Sequence, residues 1–466
     1  MGTYNENEVQ SILCYAQQIE DKTLKESVAE YSDDIGGKGK LGQLIEKHYF
    51  GYENNSRQEA DFAEVGLELK VCPIRMIVPK ANALMLIHRY GYSAKERIII
   101  TMINYETLVY EEWNQAIVRK KLNLLLMFYI HNSNINVDQQ LFKLVGLWEP
   151  CDDDLKIIKK DWTSIQAKVS LGQAHELSEG DTMYLGACTK GVNKMSVRSQ
   201  PFCDIQAKKR AFSLKRSYVD YIIEELLQKK QSKKVKPVHK PWLDINGSFD
   251  DYLMLEIKKN LGFSLEQICQ NYNIFRKRLA KNYINLVVSD VLSDIAGENI
   301  KKFEPFKKAN IEVKCIVLQP NGIPKESMSF EQIQYTEIAA EEWEDSTIRE
   351  KFENNKHLWI VFKSKNHYEK QSDISLKDLI LYKVKFWNMP IEHLEGDYKA
   401  LWQDTVVKIG NGIYNQFFKS SDNPVGHIRP KAKDSDDLMI TPQGTYERKM
   451  CFWLNSKYVA KQIEGD

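Results

Sequence analysis

The chain has 466 residues, of which 43% are hydrophobic and 28% charged, a composition that can fill the cores of two or three domains. It has no apolar run near the ~20 residues that span a bilayer, no signal-peptide pattern and no zinc spacing among its eight cysteines, so we expect a cytoplasmic protein without a membrane partner. The net charge of +1 conceals an acidic N-terminal region and a strongly basic stretch at 188–240.

The first predicted elements are helical. Apolar spacing predicts a helix over residues 5–32, and a Gly/Lys-rich turn at 36–40 leads into a second helix that carries Leu41, Leu44 and Phe50. The turn lacks the Gly-Lys-Ser/Thr ending of a phosphate-binding loop, so we expect no nucleotide cofactor.

Residues 61–70 carry the pattern of a divalent-metal nuclease. Side chains alternate between the faces of a β-strand, so Glu68 and Lys70 share one face. Gly66 allows a sharp turn that brings Asp61 back beside Glu68. Two carboxylates suit Mg²⁺, which prefers oxygen ligands and can polarise a phosphate and acidify its attacking water. Asp61 and Glu68 are therefore predicted metal ligands, and Lys70 is predicted to offset charge in the transition state.

The rest of the first half predicts an α/β layout. Strands are expected at about 66–72, 97–104 and 122–130, and helices at 155–170 and 204–228. A strand-rich core flanked by helices is typical of an α/β nuclease.

Basic residues dominate the end of this half. The cluster at 208–216 could face DNA phosphates. The lysine-rich segment 229–241, broken by Pro237 and Pro241, is either an exposed linker, which we favour, or a DNA-binding arm.

Three motifs of the first half recur in the same order in the second. They pair Leu67–Lys70 with Ile311–Lys314, Glu111–Trp113 with Glu341–Trp343, and Phe212–Val219 with Phe452–Val459. The chain is therefore predicted to be two copies of one domain, at 1–228 and 246–466, joined by a basic linker at 229–245.

The second copy is predicted to have lost its chemistry. Pro305 stands seven residues before Glu312, where Asp61 precedes Glu68 in the first copy, and a proline side chain has no atom that binds a metal. One carboxylate and Lys314 make a poor Mg²⁺ site. We therefore expect one active nuclease and one pseudo-nuclease.

These motifs resemble the MutH-type mismatch-repair endonucleases and, more closely, their restriction-enzyme relatives that cut GATC, the Sau-type enzymes. Lys38–Glu46, residues 61–70, Tyr184–Gly191 and Gln206–Lys215 carry the resemblance, which covers nearly the whole chain. It implies a bacterial protein of two tandem restriction-endonuclease-like (PD-(D/E)xK, MutH-like) α/β domains, each a mixed sheet flanked by helices.

The resemblance also implies further site residues. Glu46 matches a third active-site acid, and Lys121 matches a second active-site lysine. Lys190 matches the lysine of the base-reading loop, and Lys38 matches a lysine that reaches the DNA grooves. A basic side chain on guanine O6 and N7 is the commonest specific base contact, which suits both lysines.

Two departures from the family concern the reading loop. The repair enzymes have a tyrosine that helps to sense adenine methylation where this chain has Ser213. The resemblance therefore places Ser213 among the DNA-binding positions, and because the ring is missing we expect little discrimination between methylated and unmethylated GATC. They also have Arg-Pro before the loop lysine. The first copy lacks that pair, but the second has Arg429-Pro430-Lys431, which predicts that Arg429 and Lys431 contact DNA.

The favoured hypothesis is a type II restriction endonuclease that cuts double-stranded DNA at GATC, before the guanine, with Mg²⁺ as cofactor and a 5′ overhang as product. A palindromic site has two-fold symmetry, so double-strand cleavage needs a second copy of the chain on the DNA or two sequential nicks. The pseudo-nuclease copy would bind a further DNA site and activate cleavage. The alternatives are a nicking endonuclease of DNA repair and a non-catalytic GATC-binding protein.

Overall fold

The computed structural model describes residues 4–28, 39–52, 59–77, 91–190, 196–230, 249–276, 282–370, 373–432, 434 and 436–465. The chain divides into two compact units. Unit 1 contains Met1–Leu243 and Lys301–Asn310, and unit 2 contains Asp244–Ile300 and Ile311–Asp466. Most of the predicted linker lies outside the described residues, so the predicted domain limits stay predictions. Within the described ranges, no helix combines the length and apolar character that crossing a membrane requires.

Unit 1 mixes helices and strands. Its helices are α1 Val9–Gln17, α2 Leu24–Ser27, α3 Lys40–Leu44, α4 Tyr105–Leu108, α5 Ile117–Lys120, α6 Asp152–Ser170 and α7 Arg216–Lys230. Its strands are β1 Glu68–Met76, β2 Tyr92–Ala94, β3 Ile98–Met102, β4 Leu124–Ile130, β5 Leu141–Trp148, β6 Leu185–Thr189, β7 Val197–Gln200, β8 Cys203–Lys208 and β9 Arg210–Leu214.

Two sheets carry the residues of interest in unit 1. The larger has the order β2-β1-β4-β5, in which β1 and β4 run parallel and the other pairs are antiparallel. The smaller has the order β3-β9-β6, and β7 pairs with β8. The first five residues of β4 are all buried, as expected of a central strand that is covered on both faces.

Unit 2 repeats this architecture. The helices that follow along the chain are α8 Phe249–Lys258, α9 Leu265–Asn271, α10 Tyr283–Ala296, α11 Glu304–Lys308 (which belongs to unit 1), α12 Tyr335–Ile338, α13 Thr347–Asn354, α14 Ile391–His393, α15 Lys399–Gly410 and α16 Ser456–Glu464. The strands are β10 Ile311–Leu318, β11 Met328–Gln332, β12 Lys356–Ser364, β13 Leu379–Trp387, β14 Gly426–Pro430, β15 Leu438–Ile440, β16 Tyr446–Arg448 and β17 Met450–Leu454.

The duplication is visible in the sheets and in the packing. The sheet β10-β12-β13, with β10 parallel to β12, repeats β1-β4-β5, and the sheet β11-β17-β14 repeats β3-β9-β6. Trp113 packs on Trp162 with ring centroids 5.7 Å apart at 58°, and Trp343 packs on Trp402 at 5.5 Å and 56°. The predicted fold class of two tandem α/β domains is confirmed.

Two of the predicted helices are wrong in part. The helix expected over 204–228 begins only at Arg216, because the preceding residues form β8 and β9. β9 is buried at every position and lies between β3 and β6. Its first residue, Arg210, is buried while donating to the carbonyl oxygen of Ala187, so the charge that suggests an exposed helix is inside the sheet. The helix expected over 5–32 lies partly outside the described residues, and its described part, up to residue 28, contains two helices, α1 and α2, the second capped by Thr23.

A buried carboxylate fastens α6 to the start of β6. Asp161 is 3% exposed, and its oxygens accept the backbone N–H groups of Met183, Tyr184 and Leu185 at 2.7–2.9 Å. Burial raises the pKa of Asp161, while the three N–H groups oppose the rise because they favour the ionised form. Since β6 runs directly to Lys190, this contact fixes the strand that precedes the predicted base-reading loop.

We expect Asp161→Ala to lower the free energy of unfolding of the full chain by about 3 kcal/mol or more, because three buried N–H groups lose their acceptor. Asp152→Asn, on the exposed first turn of the same helix, should cost less than about 1 kcal/mol through the helix dipole alone. Urea denaturation of both variants measures the difference. Equal stabilities would show that the Asp161 contact is dispensable.

Candidate active site

The site of unit 1 is centred on a buried carboxylate. Glu68, 3% exposed, begins β1 and lies opposite Leu124 in the parallel pair with β4. Lys121 follows α5 directly, so the same pairing brings it close: its Nζ lies 3.0 Å from Glu68 Oε2. Lys70, two residues along β1, places its Nζ 2.7 Å from Glu68 Oε1. The structure thus brings the two predicted lysines to one predicted metal ligand.

Asp61 reaches this cluster through a tight turn. Gly66 adopts the left-handed φ of +62°, and the backbones of Phe62 and Leu67 exchange hydrogen bonds of 2.9 and 3.2 Å. Asp61 Oδ2 then accepts the backbone N–H of Leu69 at 2.8 Å. The turn predicted at Gly66 is therefore present, and it returns the acid to the start of β1.

Glu46 completes a group of three carboxylates and two lysines. It lies on the helical turn Ile45–Phe50 that continues α3. Burial, with a smaller contribution from the neighbouring Asp61 carboxylate and against the opposing effect of Lys70, raises the pKa of Glu46 to about 7. Burial also raises the pKa of Asp61, with the Glu68 carboxylate adding to the rise. Three carboxylates thus interact with only two lysines, and a bound cation would relieve the remaining negative charge.

The donor set fits Mg²⁺ better than a closed metal cage. Among the described residues, no three His, Cys, Asp or Glu side chains are grouped as a ready metal site. Mg²⁺ does not require such a group, because it is usually held by one or two carboxylates together with waters and substrate phosphate oxygens. Asp61 and Glu68 are the pair that this pattern would use.

The predicted DNA contacts of unit 1 have different outcomes. Lys190 is exposed and follows β6, with its backbone N–H bonded to the carbonyl oxygen of Lys209 at 2.7 Å. Lys38 lies outside the described residues. Ser213 is completely buried in β9, between Ile99 and Gly186 on the flanking strands. Its hydroxyl is therefore enclosed between strands, which does not fit a direct contact of Ser213 with DNA. The expectation of little discrimination between methylated and unmethylated GATC rests on the missing tyrosine ring and stays a prediction.

In unit 2, Lys431 occupies the place of Lys190. Its backbone N–H bonds to the carbonyl oxygen of Lys449 at 3.0 Å, just as Lys190 bonds to Lys209. The Lys431 ammonium donates to the carbonyl oxygen of Phe330, whereas Arg429 is exposed. Both residues lie at the end of β14, as the Arg-Pro-Lys motif predicts.

In the corresponding site of unit 2, lysines balance the charge of the glutamate that begins the strand. Glu312 begins β10 as Glu68 begins β1, and its carboxylate lies 2.6 Å from Lys351 Nζ and 3.2 Å from Lys314 Nζ. Burial pushes the pKa of Glu312 up, but the two lysines outweigh it and hold that pKa at about 2. Lys351 also pairs with Glu331. The negative charge of Glu312 is balanced by the lysine side chains, so a metal ion is not required to stabilise it.

Several of these residues were not among the predicted ones. Glu331 stands twelve residues before Trp343, where unit 1 has Thr101 before Trp113. His357 lies opposite Glu312 in the parallel pair, and burial lowers its pKa to about 3, so it stays neutral. Comparing the two copies position by position would have found Glu331, but the sequence carries no signal that His357 is buried.

Pro305 stands in a different local structure from Asp61. It is in the first turn of α11, inside the segment Lys301–Asn310 that belongs to unit 1. Within unit 1, the buried Lys308 of the same helix pairs with both oxygens of Asp154 at 2.6 and 2.8 Å and with Glu304 at 2.6 Å. The predicted loss of the first acid is therefore accompanied by a different course of the backbone.

Comparison with known proteins finds the same duplication. The profile of the family described as DNA mismatch repair enzyme MutH matches residues 50–161 and, separately, residues 296–397. The type II restriction enzyme Sau3AI of Staphylococcus aureus is 30% identical over 92% of this chain and 92% of its own length. The DNA mismatch repair protein MutH of Shewanella woodyi is 31% identical over 34% of this chain and 63% of its own. MutH of Haemophilus ducreyi is 26% identical over 41% and 80%.

We expect Glu312→Gln to lower the free energy of unfolding at pH 7 by roughly 2–3 kcal/mol, because two partly buried lysines lose their counter-charge. The lowered pKa of Glu312 means that its stabilisation is complete above the ordinary value of 4.5 and is lost as the pH falls towards 2. The deficit of the variant should therefore shrink between pH 7 and pH 3 in urea denaturation. Glu392→Gln, at an exposed glutamate of the same unit, is the control; a pH-independent deficit would contradict the charge argument.

Proposed function

This chain belongs to the family of the type II restriction enzyme Sau3AI, and from that premise we propose that it hydrolyses phosphodiester bonds of double-stranded DNA at GATC with Mg²⁺ as cofactor. The family membership makes it a nuclease of the restriction type. The sequence GATC comes from the resemblance of its motifs to the MutH and Sau-type enzymes, as does cleavage before the guanine with a 5′ overhang.

The observation that carries the chemistry is the contrast between the two Glu-x-Lys sites. In unit 1, burial and the neighbouring carboxylates raise the pKa of Glu46 to about 7 and raise that of Asp61 as well, in spite of the opposing lysines, so a cation is needed to favour their ionised forms. In unit 2 the pKa of Glu312 is lowered to about 2 by lysines. Catalysis is therefore assigned to unit 1 alone.

Each side chain of the cluster has a distinct task. Asp61 and Glu68 would hold the Mg²⁺, whose chemistry when bound is to polarise the scissile phosphate and acidify the attacking water. Lys70 and Lys121 hold the Glu68 carboxylate from two sides, which fixes its orientation before DNA arrives. Their ammonium groups are also placed to offset the charge that develops on the phosphoryl oxygens. Glu46 adds a third carboxylate at the edge of the cluster.

We expect Asp61→Asn to reduce DNA cleavage by roughly 100- to 1000-fold or more, because the site loses one of its two proposed metal ligands. Binding to a GATC duplex in the absence of Mg²⁺ should be no weaker than that of the parent protein, since the substitution removes a carboxylate that repels phosphate. Glu64→Gln, on the exposed turn between Asp61 and Glu68, is the matched control and should leave cleavage unchanged.

A plasmid digest with Mg²⁺ separates the candidate activities. Linear fragments that end at GATC support a restriction endonuclease, nicked circles support the repair-type alternative, and no product from the parent protein supports a binding protein. Full activity of Asp61→Asn would contradict the assignment of the site.

We further propose that unit 2 binds a second DNA site and activates cleavage by unit 1. Arg429 lies near the end of β14 and Lys431 directly follows this strand. The negative charge of Glu312 is balanced by lysines, so unit 2 has no metal chemistry that would compete with DNA binding. Because one catalytic centre cuts one strand, two chains assembled on DNA would cut both strands of a palindromic site.

Activation by a second site predicts that a plasmid with two GATC sites is cleaved faster than a plasmid with one, by about fivefold or more, the low end of typical coupling. A GATC duplex added in trans should restore the rate on the one-site plasmid, and a duplex of scrambled sequence should not. Equal rates on both plasmids, unchanged by the duplex, would remove the activating role of unit 2.

A further inference from the structure

Arg429 in unit 2 lies over the ring of a tryptophan. The Arg429 guanidinium lies over the indole ring of Trp453, 4.5 Å from its centroid. Trp453 Nε1 also donates to the carbonyl oxygen of Arg429 at 3.3 Å, so the ring is tied to the backbone of the residue whose side chain it supports. The two residues lie on neighbouring antiparallel strands, β14 and β17, in which Trp453 faces His427.

The indole ring is itself supported from within unit 2. The His427 ring lies 6.3 Å from the Trp453 ring and within 15° of parallel. His427 is buried, and its Nδ1 lies 2.6 Å from Asn455 Oδ1. Trp453, which supports Arg429, therefore packs on a histidine whose own orientation is fixed by Asn455.

The charged end of Arg429 is left available by this arrangement. Within the described part of the chain, no carboxylate or carbonyl oxygen forms an ion pair or hydrogen bond with its guanidinium, which packs only on the ring. The Lys431 ammonium, by contrast, is already bonded to the carbonyl oxygen of Phe330. Of the two basic residues at this strand end, Arg429 is therefore the one presented to a ligand.

Unit 1 has no counterpart of this pair. The position of Arg429 in β14 corresponds to Cys188 in β6, and the position of Trp453 in β17 corresponds to Ser213 in β9. Cys188 and Ser213 are both buried. The arginine and its aromatic platform have been acquired, or kept, together in unit 2 alone.

We propose that Trp453 is a positioning residue that presents Arg429 to a guanine in the major groove of DNA bound by unit 2. A planar guanidinium matches the O6 and N7 acceptors of guanine only when its plane is correctly oriented. Stacking on an aromatic ring fixes that plane and removes much of the rotamer freedom that an exposed arginine would otherwise lose on binding. The inference rests on the proposed binding of DNA by unit 2 and names the residue that gives this binding its base preference.

The test uses the full chain with Asp61→Asn, which binds without cutting, and two duplexes. One carries a normal GATC, and the other carries 7-deazaguanine, which lacks the N7 acceptor. Calorimetric titration beyond one duplex per chain measures the second binding event. With Trp453 present, we expect 7-deazaguanine to weaken this event by about tenfold, because the guanidinium keeps its hydrogen bond to O6 but loses the one to N7.

The variants distinguish positioning from folding. Trp453→Leu should weaken the second binding event on normal GATC and reduce the 7-deazaguanine penalty to less than about twofold. Arg429→Ala should have the same two effects. The double variant should lose no more affinity than either single variant, because the two residues act as a unit. Trp453→Phe keeps a ring face and should retain much of the penalty. Arg276→Ala removes another exposed arginine of unit 2, one that pairs with Asp290, and should leave the penalty unchanged.

Each remaining outcome has a defined meaning. If Trp453→Leu weakens both duplexes equally and the penalty persists, Trp453 is only structural and the inference is wrong, while DNA binding by unit 2 stands. The same holds if Trp453→Phe loses the penalty completely while its thermal unfolding matches that of the parent. If no second event occurs, or Arg429→Ala does not change it, unit 2 does not read DNA through this face, and that part of the proposed function fails together with the inference.

Discussion

The parallel pairing of β1 with β4 is the constraint on which the rest of the site depends. It sets Glu68 opposite Leu124, and because Lys121 lies three residues before that position, the lysine arrives beside the carboxylate. The tight turn at Gly66 then adds Asp61 from the other side. Unit 2 keeps the parallel pairing between β10 and β12, and its Glu312 also meets a lysine, Lys351, although this residue stands six positions before His357, the partner of Glu312. The backbone therefore brings a glutamate and a lysine that is distant in the sequence together in both copies, independently of any catalytic role.

What differs between the copies is the number of charges around that common point. Unit 1 surrounds two lysines with three acids, and burial together with the neighbouring carboxylates raises the pKa values of Glu46 and Asp61. In unit 2 two lysines act on Glu312, and the additional glutamate, Glu331, pairs with Lys351 on its exposed side. A Glu-x-Lys motif is thus compatible with either a cation site or a closed ion-pair cluster, and the residues outside the motif decide which one forms.

Much of this organisation could be predicted from the sequence, because the strongest signals are local or repeated. Glu68 and Lys70 share a strand face by alternation alone, and the repeated Glu-Glu-Trp motif revealed the second copy. The wrong predictions concern polar or charged residues that are buried in the structure, although such residue types are usually exposed. Arg210 has the charge of a surface residue but is buried in a sheet, so the sequence predicts a helix where β9 forms. Ser213 is of a residue type that often contacts ligands, but it is buried between two strands. Burial of this kind depends on strand partners that are distant in the sequence.

The course of Lys301–Asn310 bears on what a second site of this kind would require. In unit 1 the acid comes from a loop that folds back onto its own strand through the turn at Gly66, whereas the corresponding segment of the second copy contains α11, which Lys308 and Asp154 anchor within unit 1. An aspartate placed at Pro305 would therefore stand in the first turn of a helix instead of before a tight turn. One substitution would restore the residue type without restoring the backbone that delivers Asp61 to β1. The first acid of such a site is thus specified by the local path of the chain as much as by the side chain itself.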